Sequence, residues 1–389
     1  MTHRRPEPSS PVPLSVLDLV PVVSGSTPGQ ALRRSVELAQ HAEAAGYRRY
    51  WVAEHHLADG VASSAPELVI GLVAGATGHI RVGSAAVQLG HRTALSVVEQ
   101  FGTLDALYPG RIDLGLGRSG HRAGPGGGAG PVVPQEHRAA RWVDGVLIPP
   151  PFRPRALLDS PYFTAQQELL RLPGAQAPGY PEHVDAIAEL LAGEHRVPQG
   201  DTAHPVHAVP GEGAGLQLWV LGSSAGESAR VAGERGLPFA ANYHVSPGTI
   251  LETVAAYRDA FRPSERLARP YLVVSADVVV APDDGTARQL AAGYGLWVRS
   301  IRSGRGAMPF PSPAEAAGHR WTAADRALVA DRVDTQLVGS PDTVVAGLRR
   351  LRAVTDADEL LITTITHGHR DRVRSYALLA DAWYGRGAA

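Results

Sequence analysis

Buried strands and helices alternate along the first 120 residues of the chain, and this alternation is the strongest constraint on the fold. Each apolar, β-prone run is followed by a helical pattern, which leads into the next run. The four predicted strands are residues 14–23, 50–53, 80–89 and 111–117. Strict β–α alternation predicts a parallel sheet whose strands are joined by helical crossovers.

The alternation stops after Ser119 and resumes at Leu216. The interval is rich in glycine and proline, which predicts one long excursion over residues 121–215 with helices at 165–170 and 181–191. Beyond it, four more strand patterns are each followed by a helical pattern. They are residues 216–222, 237–243, 269–281 and 359–365. Eight such units predict a (β/α)8 TIM barrel with a long insertion after the fourth strand.

The domain boundaries follow from the same pattern. Residues 1–13 contain four prolines and have no helical or strand pattern, so we predict a disordered N-terminal lead. No Gly/Pro linker divides the remainder into halves with separate cores. Residues 14–389 are therefore predicted to form a single TIM-barrel domain with an insertion at about 121–215.

Composition excludes several classes of protein. The chain has 37 Lys+Arg against 38 Asp+Glu, a net charge of −1, which favours neither nucleic acid nor an anionic membrane as partner. It has no cysteine, which excludes disulfides, thiolate zinc sites, iron–sulfur clusters and cysteine nucleophiles. The sequence has neither a secretory signal nor an apolar run of ~18 residues. We therefore expect a cytoplasmic protein.

The second strand ends abruptly in ionisable residues. The apolar run Tyr50–Ala53 is followed by Glu54, His55 and His56. Chemistry in parallel α/β folds lies beyond the carboxyl ends of the strands, so this stretch predicts an active site. Adjacent side chains on an extended chain diverge, so the two histidines are not expected to share a ligand. A metal site is the weakest interpretation, and no metal ligands are predicted.

The fourth strand runs into the hexapeptide Gly115–Gly120, which matches the dinucleotide fingerprint G-x-G-x-x-G. A Gly/Pro loop follows it instead of a helix, and the expected acidic residue is missing, so the context argues against a Rossmann site. What remains is Arg118 at a strand end. Its guanidinium could clamp a phosphate in bidentate geometry, or it could be an ordinary surface arginine.

Two further strand ends carry small residues. Ser223, Ser224 and Ser228 lie between the fifth strand and a helix, where free N–H groups favour a phosphate. The alternative is a capping box, with Ser224 as N-cap and Glu227 three residues later. Inside the third strand, Ser84–Ala86 leaves room for a flat ring or simply allows tight helix–strand packing.

Taken together and in order, several segments resemble the bacterial luciferase-like flavin-dependent oxidoreductases. They are YRRYWVAEHH, IRVGSAAVQL, EQFGTLDALYPGRIDLGLGRSG, LWVLGSSAGESARVAGERGLPFA and LVGSPDTVVAGLRRLRAVTDADELLITT. The similarity covers most of residues 14–120 and 216–384, and the excursion between them has no clear counterpart. The branch that the chain resembles includes luciferase-like monooxygenases of actinomycete aromatic polyketide pathways.

The resemblance implies a TIM barrel that binds FMN at its C-terminal mouth. His55 falls on the family's catalytic histidine, which stabilises or protonates the oxygen adduct of the flavin. The family has a non-proline cis peptide against the flavin ring, and Ala85 and Ala86 fall on that bond. Arg118 falls on the phosphate-binding arginine. Three serines fall near the remaining phosphate contacts, within about one residue of the register. These are Ser223, Ser224 and Ser228.

The function implied by the resemblance is a monooxygenase that uses reduced FMN and O₂ on a small organic substrate, such as an aromatic polyketide or other secondary metabolite. With no nicotinamide domain in the sequence, a flavin reductase is the expected donor of reduced FMN. Gly117 stands where luciferase has a reactive cysteine, which argues against light emission. The alternatives are an F420-dependent dehydrogenase on the same barrel and a flavin-binding protein with little catalysis. The resemblance also implies a homodimer formed through the early helices.

Overall fold

Eight parallel strands form a closed barrel in the computed structural model, which describes residues 11–118, 138–152, 160–172 and 174–386. Each strand pairs with its neighbours in chain order, and the eighth pairs with the first. The strands are β1 (Leu14–Asp18), β2 (Arg49–Val52), β3 (Arg81–Ser84), β4 (Ile112–Gly117), β5 (Gln217–Gly222), β6 (Phe239–Asn242), β7 (Leu272–Val280) and β8 (Glu359–Thr363). The predicted TIM barrel is therefore confirmed.

A ring of eight helices packs around the strands, each against the next. They are α1 (Pro28–Ala44), α2 (Pro66–Ala76), α3 (Ala94–Leu107), α4 (Tyr180–Ala192), α5 (Glu227–Glu234), α6 (Ile250–Ala260), α7 (Pro341–Thr355) and α8 (His369–Tyr384). Local sequence explains several starts. Thr27 and Gln30 form a capping box ahead of Pro28, and Ser340 caps α7 ahead of Pro341.

Helix α4 lies inside the excursion that the sequence predicts over residues 121–215. It packs between α3 and α5 as the fourth barrel helix and buries Tyr180, Val184 and Ile187. The excursion is thus divided into two parts by an ordinary barrel element. The described remainder consists of the hairpin Arg141–Ile148, the helix Pro161–Leu169 and the hairpin Arg196–Pro205. Residues 121–137 of the predicted excursion lie outside the described residues.

The connection between β7 and α7 carries additional short elements. They are the helices Asp284–Leu290, Tyr294–Ser300, Pro313–Ala317 and Ala323–Val333, a π-helical turn at Ile301–Arg305, and the strand Leu337–Gly339. No helix in the described part of the chain is long and apolar enough to cross a membrane.

The end of the predicted N-terminal lead belongs to the folded structure. The Val12 carbonyl accepts a hydrogen bond from the Trp383 indole at 2.8 Å, and the Pro13 carbonyl accepts one from the Leu360 N–H at 3.0 Å. The chain therefore joins β8 before β1 begins. Residues 1–10 of the predicted lead lie outside the described residues.

A network of charges fills the N-terminal end of the barrel. The buried Arg49 guanidinium donates to Asp113 at 2.7 Å, to Glu359 at 3.1 Å and to Gln217 at 2.8 Å, and it lies 4.7 Å from the centre of the Trp219 ring. These partners come from β4, β8 and β5. One side chain thus links four of the eight strands.

Replacing Arg49 with alanine is expected to lower the free energy of unfolding by about 3–5 kcal/mol, because the buried Glu359 loses its nearest cation and the buried Asp113 keeps only Arg81. Arg48→Ala is the matched control. Its half-exposed side chain lies 3.9 Å from Glu359, so the loss should be about 1 kcal/mol or less. Urea denaturation measures both. Equal losses for the two variants would contradict a stabilising role specific to Arg49.

Candidate functional site

The carboxyl ends of the strands meet at one mouth of the barrel, which collects most of the predicted site residues. Along β2, alternate residues face inward, so Arg49, Trp51 and Ala53 line the interior and His55 follows them at the mouth. The interior below the mouth is apolar and aromatic, with Trp51 packed edge-on against Trp219. His55 therefore stands at the boundary between a dry interior and the loops above.

His55 is partly buried, and its hydrogen-bond partner, Ser63, differs from the partners of Glu54 and His56. Its Nδ1 lies 3.5 Å from the Ser63 hydroxyl, and its backbone N–H donates to the Ser63 carbonyl. Burial, with a smaller contribution from His56, lowers the pKa of the His55 imidazole from 6.5 to about 4. At neutral pH the ring is therefore uncharged and can accept or donate a hydrogen bond.

Glu54 has its own set of hydrogen-bond donors at the same strand end. Its carboxylate accepts from His56 at 2.8 Å, from Arg92 at 3.1 Å and from the Gln88 N–H at 2.9 Å. Burial alone would raise the pKa of Glu54, but these three donors together lower it. As predicted, His55 and His56 diverge, since His56 turns to Glu54 while His55 faces Ser63.

The peptide bond between Ala85 and Ala86 is cis, as the family resemblance implies. It interrupts the strand predicted over residues 80–89, so β3 ends at Ser84. The short strand Val87–Gln88 then returns to pair with Leu116 and Gly117 of β4. A Cβ at Gly117 would lie 3.1 Å from that of Ala86, so only a very small residue fits comfortably opposite this bond.

The insertion reaches the strand end that carries His55. Tyr162, on the helix Pro161–Leu169, donates to the His56 carbonyl at 3.1 Å and also to the Leu57 carbonyl. Gln166 donates to the same His56 carbonyl at 3.2 Å. The helix therefore covers the loop that follows His55.

Arg118 and the start of α5 come together at the rim. The Arg118 side chain is half exposed, and a guanidinium nitrogen lies 3.7 Å from the Glu227 carboxylate. The pair joins the end of β4 to the first turn of α5. Ser119 and Gly120, which complete the predicted fingerprint, lie outside the described residues.

The first turn of α5 has no side-chain cap. Its N-cap is Gly226, and the helix begins at Glu227, so the alternative interpretation of this segment, a capping box led by Ser224, is wrong. The hydroxyls of Ser223 and Ser224 are exposed on the preceding loop, whereas Ser228 is buried and hydrogen-bonded to the Tyr180 hydroxyl. The capping box fails because the loop continues for two residues past Ser224 before the chain becomes helical.

This donor set fits a phosphate group. Helix N–H groups that no side chain caps are directed at the rim, where a guanidinium and two exposed hydroxyls also lie. Guanidinium forks match phosphate oxygens in bidentate geometry. Glu227 lies 3.7 Å from Arg118, and its negative charge opposes an anion there, so Arg118 and the helix N–H groups would have to outweigh it. The residues present are therefore those that the phosphate of FMN or F420 would require.

Sequence reasoning missed two side chains of the site. Tyr180, the first residue of α4, donates to the Leu116 carbonyl at 3.3 Å beneath Ser228. His244 follows β6 and is 8% exposed, with its Nδ1 2.6 Å from the Ser275 hydroxyl. The sequence offered one signal for His244, which is its position just after a buried strand, as for His55.

The second histidine pair has separate partners. His367 contacts the hydroxyl and the carbonyl of Ser24, both at 3.1 Å, whereas His369 lies 3.3 Å from the Glu37 carboxylate. Within the described ranges, no three His, Asp or Glu side chains are grouped in a way that could hold a metal ion.

The chain matches the family model described as luciferase-like monooxygenase over residues 12–146 and 173–357. It is 37% identical to the uncharacterized protein YvbT of Bacillus subtilis, covering 96% of this chain and 97% of that protein. It is 31% identical to a luciferase-like monooxygenase of Escherichia coli K12, covering 95% and 96%. The crystal structure of apo-MsnO8 superimposes with a TM-score of 0.72 at 31% identity, covering 96% and 97%.

Two more distant solved structures share the fold alone. One is the oxygenating constituent of 3,6-diketocamphane monooxygenase of Pseudomonas putida in complex with FMN, at 19% identity, 97% and 99% coverage and a TM-score of 0.62. The other is an F420-dependent secondary alcohol dehydrogenase in complex with an F420–acetone adduct, at 16% identity, 96% and 99% coverage and a TM-score of 0.58.

The depressed pKa of His55 predicts a stability that depends on pH. As the pH falls from about 6.5 towards about 4, the unfolded chain binds a proton at this position and the folded chain does not, so acid lowers stability. His55→Gln is expected to reduce this loss, and His204→Gln, on the exposed hairpin, is the control. Urea unfolding between pH about 7 and about 5 measures the slope. An unchanged slope in His55→Gln would contradict the burial of a neutral imidazole.

Proposed function

The chain belongs to the luciferase-like monooxygenase family, and we propose that it uses reduced FMN and O₂ to oxygenate a small organic substrate at the barrel mouth. The observation that carries the proposal is the convergence of four features at that mouth. These are His55, the small side chains of Ala85 and Ala86, Arg118 and the uncapped start of α5.

Three of these features would hold the cofactor. Arg118, the N–H groups of α5 and the hydroxyls of Ser223 and Ser224 would bind the phosphate. The buried Ser228 would support the phosphate site from beneath through its hydrogen bond to the Tyr180 hydroxyl. The small side chains of Ala85 and Ala86 would leave space for a flat ring above the end of the third strand. When bound, FMN supplies the electrons for the reaction with oxygen.

His55 would act on protons at the mouth. Because the ring is neutral and Ser63 lies beside Nδ1, Nε2 is the nitrogen available to accept or return a proton. The apolar interior below and the helix Pro161–Leu169 above limit the access of water to this position. A dry site around a neutral histidine suits oxygen chemistry in which an intermediate must be protected from solvent.

The choice of FMN over F420 is part of the proposal. Solved structures of the same fold hold one or the other, so the fold allows both. We favour FMN because the chain is 31% identical, over nearly its whole length, to a relative described as a monooxygenase. A separate flavin reductase would then deliver reduced FMN, since the described residues form one barrel with no second nucleotide-binding domain.

We also propose a homodimer that forms through α2. Leu68 and Leu72 are 68% and 59% exposed and lie one turn apart on the same face of this helix. An exposed leucine pair beside α3 is suited to burial against a second copy of the chain.

Arg118→Met is expected to weaken FMN binding about tenfold or more, because a charge-assisted bond to the phosphate is lost. Binding of riboflavin, which has no phosphate, should not change. Arg230→Met on α5 is the matched control, since both arginine side chains are 51% exposed. Fluorescence titration with the two flavins measures the effect. An equal loss for FMN and riboflavin, or no loss for FMN, would contradict the assignment of the phosphate site.

The proposed reaction is tested by mixing the protein and photoreduced FMN with oxygenated buffer in a stopped-flow instrument. We expect the absorbance of oxidised flavin to return more slowly than for free reduced FMN. His55→Gln should bind FMN normally but lose this delay. Reoxidation at the rate of free flavin in the wild type would overturn the monooxygenase assignment. Binding of F420 with oxygen-independent turnover would favour the dehydrogenase.

The dimer is tested by light scattering of the double variant Leu68→Asp/Leu72→Asp, which should be monomeric because two charges would be buried in the interface. Val197→Asp, on an exposed hairpin, is the control and should keep the wild-type mass. A monomeric wild type, or a double variant of unchanged mass, would contradict an interface at α2.

A further inference from the structure

Alternate strands contribute the side chains at the floor of the barrel mouth. Inward-facing residues of a TIM barrel stack in layers, and each layer takes its members from every second strand. Arg49 marks one layer near the N-terminal end, since this side chain of β2 bonds Asp113 of β4 and Glu359 of β8. Four residues farther along, the same inward side of these strands forms a layer nearer the mouth. Its members on β2, β4 and β8 are Ala53, Gly117 and Thr363.

Asn242 is the β6 member of the same layer. It lies within the strand, two residues after a member of the interior apolar cluster, so it also faces inward. Through Ser275 of β7, Asn242 is level in register with the residue two before Thr363. The charged layer has the same two-residue offset between Glu359 and Arg49 across β1. Asn242 and Thr363 are therefore neighbours in one layer, which we call the floor layer.

Only half of the floor layer has hydrogen-bonding side chains. Ala53 and Gly117 have none, whereas Asn242 carries an amide and Thr363 a hydroxyl. The Thr363 side chain is buried, and its hydroxyl has no hydrogen-bond partner. Within the described part of the chain, the amide of the half-buried Asn242 makes no hydrogen bond either. Buried polar groups are nearly always paired, so a water molecule or a ligand is needed to complete this half of the layer.

We propose that Thr363 and Asn242 bind a neutral carboxamide group of the substrate, which rests on the proposed function of the mouth. The Thr363 hydroxyl donates to the oxygen of the carboxamide, and the side-chain oxygen of Asn242 accepts from its N–H. A carboxamide offers an acceptor beside a donor, whereas a ketone offers an acceptor alone and leaves the Asn242 oxygen unpaired. Strands β6 and β8 are two positions apart, about 10 Å, so one small group can reach both side chains.

The surroundings of the floor layer favour a neutral group. Trp51 and Leu361 lie beneath it in the interior apolar cluster. Asp277 is the partner of Thr363 in register on β7, but its carboxylate is paired with Arg332 at 3.8 Å. This ion pair adds no net charge to the floor, and an ionised substrate group would have to be buried there without a counter-ion.

The first test reads the carboxamide directly. Benzamide labelled with ¹³C at its carbonyl is bound to the FMN-loaded protein, and its stretching band is recorded by isotope-edited infrared spectroscopy. The hydrogen bond from Thr363 should lower the frequency below that in Thr363→Val. Thr364→Val is the matched control and should keep the wild-type frequency, because its hydroxyl is also buried and unpartnered but its backbone bonds Tyr376 and Arg372 of α8. Equal frequencies in wild type and Thr363→Val, or no binding of benzamide, would overturn the proposal.

The second test compares affinities for benzamide and acetophenone, which has no N–H. Asn242→Ala should weaken benzamide binding about fivefold and leave acetophenone binding unchanged, as expected for one neutral hydrogen bond. Thr363→Val should weaken both, because each compound has a carbonyl oxygen. Equal effects of Asn242→Ala on the two compounds, or none on benzamide, would contradict the proposal.

Two further readouts separate the possible failures. Thr363→Val should unfold at no lower temperature than the wild type, because no hydrogen bond within the chain is lost. A marked loss of stability would make the hydroxyl structural and overturn the proposal. FMN absorbance in the same samples reports the proposed function. The predicted pattern of benzamide binding in protein that binds no FMN would support the carboxamide site and overturn the proposed function alone.

Discussion

The buried guanidinium of Arg49 is the interaction on which the barrel depends. Desolvating a charge in a protein interior is costly unless well-placed partners surround it. Here the partners are Asp113, Glu359 and Gln217, and each belongs to a different strand. The network therefore fixes the relative positions of four strands at the N-terminal end. Its cost is offset only when all of those strands are in place, which couples closure of the barrel to formation of the network.

The stabilising network of Arg49 and the candidate functional site therefore lie at opposite ends of the barrel. Above the charged layer, Gly83 and Gly115 occupy the interior where Trp51 and Trp219 meet, because a Cβ at either glycine would collide with the neighbouring strand. The aromatic layer of Trp51 and Trp219 separates the charged layer from the mouth of the barrel. Function in TIM barrels is carried by the opposite end, where loops vary without disturbing the closed strands. Here that end holds the uncharged imidazoles of His55 and His244 beside the ion pairs of Glu54 with Arg92 and of Arg118 with Glu227.

The sequence predicted the barrel because each strand and helix carries its own signal, as Thr27 and Pro28 do for α1. Helix α4 was assigned to the excursion because the sequence on both sides of it has no barrel pattern. The position of His55 followed from a strand that ends in ionisable residues. His244 also follows a buried strand, but it was missed because one histidine stands there instead of three consecutive ionisable residues, and its contact with Ser275, 31 residues away, leaves no local pattern. The cis bond at Ala85–Ala86 came from family resemblance, because two alanines alone do not specify it.

Charged and uncharged side chains lie at different depths in the barrel mouth. Arg118 is half exposed at the rim, where solvent moderates its charge and an anion can reach it. His55 and His244 lie deeper and stay neutral, since burial makes a positive charge costly there. In the proposed complex, Arg118 would supply the electrostatic attraction for the phosphate end of an anionic cofactor. The reacting end would meet hydrogen-bonding groups without net charge, so small changes in protonation there alter the reaction without releasing the cofactor.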